Sequence, residues 1–119
     1  MNPYDKAHEL SRAMRGTEMF AQMKAAKDKL ESDEAAKAML IDFQRQQLFL
    51  ERKRLLGDTI SEDEQNELQK RSDTIQMHEV VREYLTAEMQ LGILYQDIQQ
   101  IISEVIQEVS LLPDWQAEE

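Results

Sequence analysis

The residues of this sequence that could bind a metal or move protons are two histidines and a set of carboxylates. His8 and His78 stand 70 positions apart, and the chain contains no cysteine. Zinc and di-iron sites need clustered ligands, such as a Glu-x-x-His pair on each of two facing helices. Asp5 precedes His8 at that spacing, but no acidic residue precedes His78 in the same way. The spacing therefore predicts no bound metal and no cofactor.

The densest acidic group follows a serine in the middle of the chain. Glu62, Asp63 and Glu64 come directly after Ser61, and Glu67 lies one turn later. A calcium loop would need a glycine for its sharp turn, and none lies among these residues. Ser-x-x-Glu is instead a capping box, and carboxylates favour the positive end of a helix dipole. The group predicts a helix start at Ser61 rather than an ion site.

The sequence offers no nucleophile or phosphate-binding loop. No serine lies in a Gly-x-Ser-x-Gly turn, and the three glycines are far apart. These absences predict a protein that is not an enzyme. The formal net charge of −10 also argues against a free-standing nucleic-acid binder, because phosphates attract cationic surfaces.

The composition predicts an all-α protein. Of 119 residues, 41% are apolar and 32% are charged, while glycine and proline total only five. Such scarcity of turn residues argues against a β fold. We expect one helical domain over residues 1–119, with the last residues, 114–119, frayed. The opening lacks the apolar core of a signal peptide, and no segment has the length of a membrane span. We therefore expect a cytoplasmic protein that does not enter a membrane.

Capping and helix-breaking residues divide the chain into four or five helices. Asparagine, threonine, aspartate and serine are favoured at helix starts, proline suits the first helical turn, and glycine often ends a helix. The boundaries predicted in this way are Asn2–Pro3, Gly16–Thr17, Ser32–Asp33, Leu56–Gly57, Ser61, Met77–His78 and Leu111–Pro113.

The last helix, predicted from Glu79 to about Leu111, is the longest, and its C-terminal half is the most apolar part of the chain. About 31 residues at roughly 1.5 Å each span about 46 Å. A compact chain of this length would be only about 35 Å across, so the molecule must be elongated or the helix must protrude. An apolar helix face without a cover needs a partner, most simply a second copy. We predict a homodimer or higher oligomer held by Leu91, Leu94, Tyr95, Ile98, Ile101, Ile102 and Val105.

The third helix carries two apolar stripes, which predict that it is contacted on two sides. Its first stripe contains Ala36, Leu40, Phe43, Gln47 and Leu50, and its second contains Ile41, Leu48 and Leu55.

A basic strip lies near the end of the same helix. Arg45, Arg52, Lys53 and Arg54 outnumber the single neighbouring carboxylate, Glu51, in a molecule that is otherwise acidic. Exposed cations of this kind are commonly a solvated surface paired with nearby carboxylates. The alternative is a docking site for an acidic protein or for RNA.

The sequence resembles the YlbF/YheA/YmcA family of small helical bacterial proteins. Three stretches carry the resemblance, and with their spacing and helix breaks it extends over residues 2–109. They are NPYDKAHELSRAMRGTE, DEAAKAMLIDFQRQQLFLERKRLLGDTISEDE and REYLTAEMQLGILYQDIQQII. The chain is more similar to the short YheA-like members than to the YlbF type, which carries cysteines.

The resemblance implies an all-α fold, self-association and a regulatory role. Some members of the family act as accessory factors of endoribonuclease Y in messenger-RNA processing and are linked to competence, sporulation and biofilm formation. We therefore expect a non-enzymatic oligomeric adaptor or regulator, with a protein of the RNA-processing machinery as a partner. The alternatives are direct RNA binding through the basic strip and a purely structural helical oligomer.

Overall fold

The computed structural model describes residues 2–111, and these residues form five α-helices in chain order. The all-α prediction is confirmed. The helices are α1 (Pro3–Arg15), α2 (Glu18–Glu31), α3 (Glu34–Leu55), α4 (Glu62–Gln76) and α5 (Glu79–Gln107).

Side-chain caps begin the first three helices where the sequence predicts them. The Asn2 side-chain oxygen accepts a hydrogen bond from the Tyr4 backbone N–H at 2.8 Å. The Thr17 hydroxyl accepts from the Phe20 N–H at the start of α2, and the Asp33 carboxylate caps α3. Each bond satisfies an N–H that has no partner within the helix, which fixes the helix start locally.

A capping box begins α4. The Glu64 backbone N–H donates to the Ser61 hydroxyl at 3.1 Å, and the Ser61 N–H donates back to the Glu64 carboxylate at 3.1 Å. Gly57, after the end of α3, has a φ of +79°, a left-handed conformation that glycine adopts without strain. The connector between α3 and α4 is thus defined at both ends.

The core lies where the α2–α3 and α4–α5 turns meet. Its buried members are Leu30, Ala36, Leu40, Ile75 and Val81. These residues come from four different helices, so the core joins every helix except α1. The first stripe predicted for α3 therefore supplies this helix's contribution to the core.

Helices α2 and α5 run antiparallel and make the most extensive helix pair. Ala26 and Ala87 are both buried, and small side chains let two helix backbones approach closely. The Lys29 ammonium lies 3.3 Å from a Glu83 carboxylate oxygen at one end of the pair. At the other end, Phe20 near the start of α2 lines the same groove as Leu91. The C-terminal half of α5 therefore extends beyond the N-terminal end of α2.

The molecule is flat and elongated, as the length of α5 predicts. Its principal dimensions are 53 × 38 × 16 Å and its radius of gyration is 18.5 Å. A compact chain of this length would have a radius of gyration of about 13.5 Å. A thickness of 16 Å accommodates little more than a pair of packed helices, whose axes lie about 8–10 Å apart. Many side chains consequently have one side open.

The end of α5 differs from its predicted position. The helix ends at Gln107 rather than near Leu111, and the Val109 N–H closes a tighter turn onto the Ile106 carbonyl. Val109 and Leu111 are largely or fully exposed, so burial of these two apolar side chains does not sustain another helical turn. Pro113 and the predicted frayed tail, 114–119, lie outside the described residues. Between residues 2 and 111, no helix is both long enough and apolar enough to cross a lipid bilayer.

Candidate interaction surface

The apolar face of the C-terminal half of α5 is the main candidate interaction surface. At about 100° per residue, the seven side chains of the predicted interface fall within roughly 120° of the helix circumference. We call this set the α5 arc; its members are Leu91, Leu94, Tyr95, Ile98, Ile101, Ile102 and Val105.

The structure divides the α5 arc into two parts. Leu91, Leu94 and Ile98 are half-buried. The other four members, Tyr95, Ile101, Ile102 and Val105, are 55–64% exposed. Ile106 is also about half exposed, and it lies beside Tyr95 on the helix circumference and widens the apolar surface. Large apolar side chains contiguous on one face are typical of interaction sites.

An apolar groove continues this surface toward the N-terminal helix. It has a volume of about 320 Å³ and lies between α1, α2 and α5. Leu10 and Met14 of α1, Phe20 of α2 and Leu91 of the α5 arc line it. No residue of α1 is buried, so this helix also leaves apolar side chains open.

A second open surface lies on α3, about a third of a turn around the helix from the core stripe. Ile41 is half-buried, whereas Leu48 and Leu55 are 62% and 79% exposed. Phe49 and Leu56 are also exposed and flank the same stripe. The sequence predicted contacts on two sides of α3. Within the described chain the core side of α3 is covered, while Leu48 and Leu55 of the second stripe remain open to another molecule.

The four residues of the basic strip differ in whether they have a partner within the chain. Arg45 and Arg52 are exposed, and neither forms an ion pair with another residue of the described range. The Lys53 ammonium instead lies 2.9 Å from a Glu64 carboxylate oxygen and 5.2 Å from the centre of the Phe49 ring.

Arg54 also has a partner within the chain, since its guanidinium lies 3.1 Å from the Glu51 carboxylate. Only Arg45 and Arg52 therefore remain as unpaired cations of the strip, and they lie on the same face as Leu48.

The carboxylate at the start of α4 has a perturbed acidity. The pKa of Glu64 is lowered below its ordinary value, chiefly by the hydrogen bond from the Lys53 ammonium and then by that from the Ser61 backbone N–H. Both interactions favour the ionised carboxylate. Glu64 therefore acts in joining α3 to α4, which gives the acidic group at residues 62–64 a structural explanation.

An acidic edge borders the α5 arc. Asp97, Glu104 and Glu108 are exposed and lie beside Ile101 on the helix circumference, and they follow one another at intervals of two turns and then one turn. The helix thus presents apolar side chains on one face and carboxylates along one border of that face. Along the second stripe of α3, arginines lie among leucines, so its charge is opposite to that of the acidic edge.

The histidines are not brought together. His8 is exposed on α1, whereas His78 lies between α4 and α5 with its Nε2 atom 4.0 Å from an Asp33 carboxylate oxygen. This contact links the two interhelical turns beside the core, and no local sequence signal predicts it. Across residues 2–111, no group of three or more histidines and carboxylates is arranged to hold a metal ion.

Together these features define an all-α protein whose described residues form five helices and leave apolar helix faces open. The chain belongs to the family described as "Control of competence regulator ComK, YlbF/YmcA", whose model matches residues 4–107. The resemblance drawn from the sequence is confirmed.

Individual relatives agree with this assignment. The chain is 38% identical over 99 residues to a UPF0342 protein of Halothermothrix orenii, covering 83% of this chain and 84% of that protein. It is 33% identical over 109 residues to the UPF0342 protein YheA of Bacillus subtilis, covering 92% and 93%.

Solved structures show the same fold. A protein of unknown function (DUF964) from Bacillus stearothermophilus superposes with a TM-score of 0.75 at 30% identity, covering 92% of this chain and 97% of that one. The yheA protein from Bacillus subtilis superposes with a TM-score of 0.65 at 28% identity, covering 92% and 100%.

Proposed function

We propose that this chain is a non-enzymatic regulatory protein that works as a homo-oligomer. The observation that carries the proposal is the exposure of the α5 arc, where Ile101, Ile102 and Val105 each leave more than half of their surface open. A cytoplasmic protein with such a face gains stability when a second chain covers it.

The energetics favour self-association. Burying one Leu or Ile side chain contributes roughly 1.5–3 kcal/mol. Even half of this from each exposed member, counted on two chains, can exceed the several kcal/mol of freedom lost on association. A two-fold arrangement would bury each contact twice, since both copies contribute the same surfaces.

The family description supports a regulatory role. It refers to control of the competence regulator ComK, and we propose that this chain likewise acts on a developmental or RNA-processing pathway through a protein partner. Without thiolates, this chain would act by binding rather than by redox chemistry.

Direct RNA binding receives less support. Only Arg45 and Arg52 of the basic strip are unpaired, while three carboxylates border the α5 arc in a chain of net charge −10. RNA binding through these arginines would appear as a gel shift that weakens steeply as salt rises. We expect no such shift at physiological salt.

Affinity capture from the native cell lysate tests the regulatory proposal. We expect the parent protein to retain the same partner in repeated captures, and the interface variant Ile102→Glu to retain less of it. Recovery of this chain alone would favour a purely structural oligomer instead.

A further inference from the structure

We propose that the second stripe of α3 in one copy, together with Arg45 and Arg52 beside it, binds the acidic edge of α5 in a second copy. The two helices would be antiparallel. This inference rests on the self-association of the proposed function and names one contact within it. That contact uses Leu94 and Ile101 of the α5 arc, whereas Ile102 lies about a third of a turn further around the helix, outside it. It follows from a match in charge, exposure and spacing between the two helices.

The spacing of charges is the same on both helices. Arg45 and Arg52 are seven residues apart on α3, and Asp97 and Glu104 are seven residues apart on α5. Seven residues make two helical turns, or about 10.5 Å. Antiparallel packing can therefore place Arg45 opposite Glu104 and Arg52 opposite Asp97 at the same time.

The apolar residues between the charges match as well. Along α3, Leu48 follows Arg45 by three residues and precedes Arg52 by four. Read backwards along α5, Ile101 follows Glu104 by three residues and precedes Asp97 by four. Leu48 is 62% exposed and Ile101 is 64% exposed, so contact between them removes apolar surface from water.

The match continues for one further turn. Leu55 lies three residues beyond Arg52, and Leu94 lies three residues before Asp97. Leu55 is exposed and Leu94 is half-buried. The resulting contact alternates two ion pairs with two apolar pairs, an arrangement that also fixes the register between the helices.

Pairing like with like is less favourable. An antiparallel pair of α3 stripes would bring Arg45 of each copy toward Arg52 of the other. An antiparallel pair of α5 helices related by a two-fold axis would bring each acidic edge against the same edge of its mate. Like charges across an interface oppose association, so α3 against α5 is the combination that the charges favour.

Charge reversal tests the pairing. Arg52→Glu places a carboxylate opposite Asp97, and Asp97→Arg places a guanidinium opposite Arg52. Each variant should raise the dissociation constant of the oligomer by about tenfold or more, because like charges then face each other. Arg54→Glu is the matched control, since it makes the same charge change on another face of α3 and should have little effect.

Recombining the reversed charges gives the decisive result. In the double variant Arg52→Glu/Asp97→Arg, every contact regains opposite charges, so association should return close to that of the parent. An equal mixture of the two single variants should likewise form a heterodimer, since each of its two contacts then joins opposite charges. Analytical ultracentrifugation measures association, and circular dichroism checks that every variant is folded.

The outcomes separate this inference from the proposed function. A parent that oligomerises equally well with and without Arg52→Glu overturns the α3–α5 pairing and leaves self-association standing. Failure of the double variant and of the mixture to recover also overturns the pairing. A parent that is monomeric overturns both.

Discussion

The Lys53 ammonium lies 2.9 Å from the Glu64 carboxylate and joins the last turn of α3 to the first turn of α4. The same carboxylate accepts the hydrogen bond from the Ser61 N–H that completes the capping box. One side chain thus connects a local helix cap to a contact between helices. Lys53, predicted from the sequence as a docking residue, is engaged within the fold.

Neighbouring basic residues should consequently differ in their effect on stability. Lys53→Gln should lower the thermal denaturation midpoint, because it removes the partner of the Glu64 carboxylate. Arg54→Gln should lower the midpoint less, since its contact with Glu51 is more exposed and joins residues of the same helix. Thermal unfolding followed by circular dichroism compares the two variants. Equal midpoints would show that the Lys53–Glu64 contact does not stabilise the fold.

The lowered pKa of Glu64 predicts a pH dependence. A carboxyl group whose folded pKa is lowered stabilises the fold above its unfolded pKa, and this contribution is lost as pH falls through the folded value. The parent should therefore exceed Glu64→Gln in unfolding free energy at neutral pH. The difference should shrink as pH falls below the ordinary value of 4.5.

Glu62→Gln is the control for this pH series, since Glu62 lies in the same first turn without an ion pair among residues 2–111. Urea unfolding of the parent and both variants across the pH range gives the measurement. A difference between parent and Glu64→Gln that persists unchanged into acid would contradict the assignment.

The capping box should stabilise α4. Ser61→Ala removes the hydroxyl that accepts the Glu64 N–H, and it should cost about 1 kcal/mol, the usual value for an N-cap. Thr59→Ala, in the preceding connector, should cost less because Thr59 begins no helix. Equal losses in the urea midpoint would mean that Ser61 does not act as the cap.

The core should be sensitive to truncation at its most buried positions. Ile75 is 1% exposed, and Ile75→Ala should cost about 2–5 kcal/mol through lost burial and the cavity left behind. Ile93→Ala makes the same change at an exposed position and should cost about 0.5 kcal/mol or less. Chemical denaturation of both variants measures the difference, and similar losses would argue against the described core.

Local signals were sufficient to predict most of the fold. Asn2, Thr17, Asp33 and Ser61 each cap a helix as predicted, because a cap involves only residues two or three positions apart. The wide apolar face of α5 was likewise visible as a repeat in the sequence. The elongated shape followed from helix length alone.

Features that depend on distant residues were not predictable in the same way. The sequence could not reveal that Glu64 engages Lys53, since the turn between α3 and α4 decides which basic side chain meets it. The contact between His78 and Asp33 likewise depends on how two turns pack together. The sequence predicts the end of α5 too late because Pro113 indicates a stop near Leu111, whereas the helix ends at Gln107 and the apolar side chains of Val109 and Leu111 are exposed.

Self-association through the α5 arc is the central claim, and sedimentation equilibrium tests it most directly. Ile102 is 57% exposed, so Ile102→Glu should not disturb the isolated fold. In an oligomer the new carboxylate would be buried without a partner, or would hold the interface open. Gln96→Glu adds the same charge on the exposed opposite side of α5 and serves as the control.

We predict that the parent and Gln96→Glu sediment as oligomers at micromolar concentration, whereas Ile102→Glu shifts toward the monomer with an unchanged circular dichroism spectrum. A monomeric parent, or an oligomer that survives Ile102→Glu intact, would contradict the claim that the α5 arc is the surface of self-association.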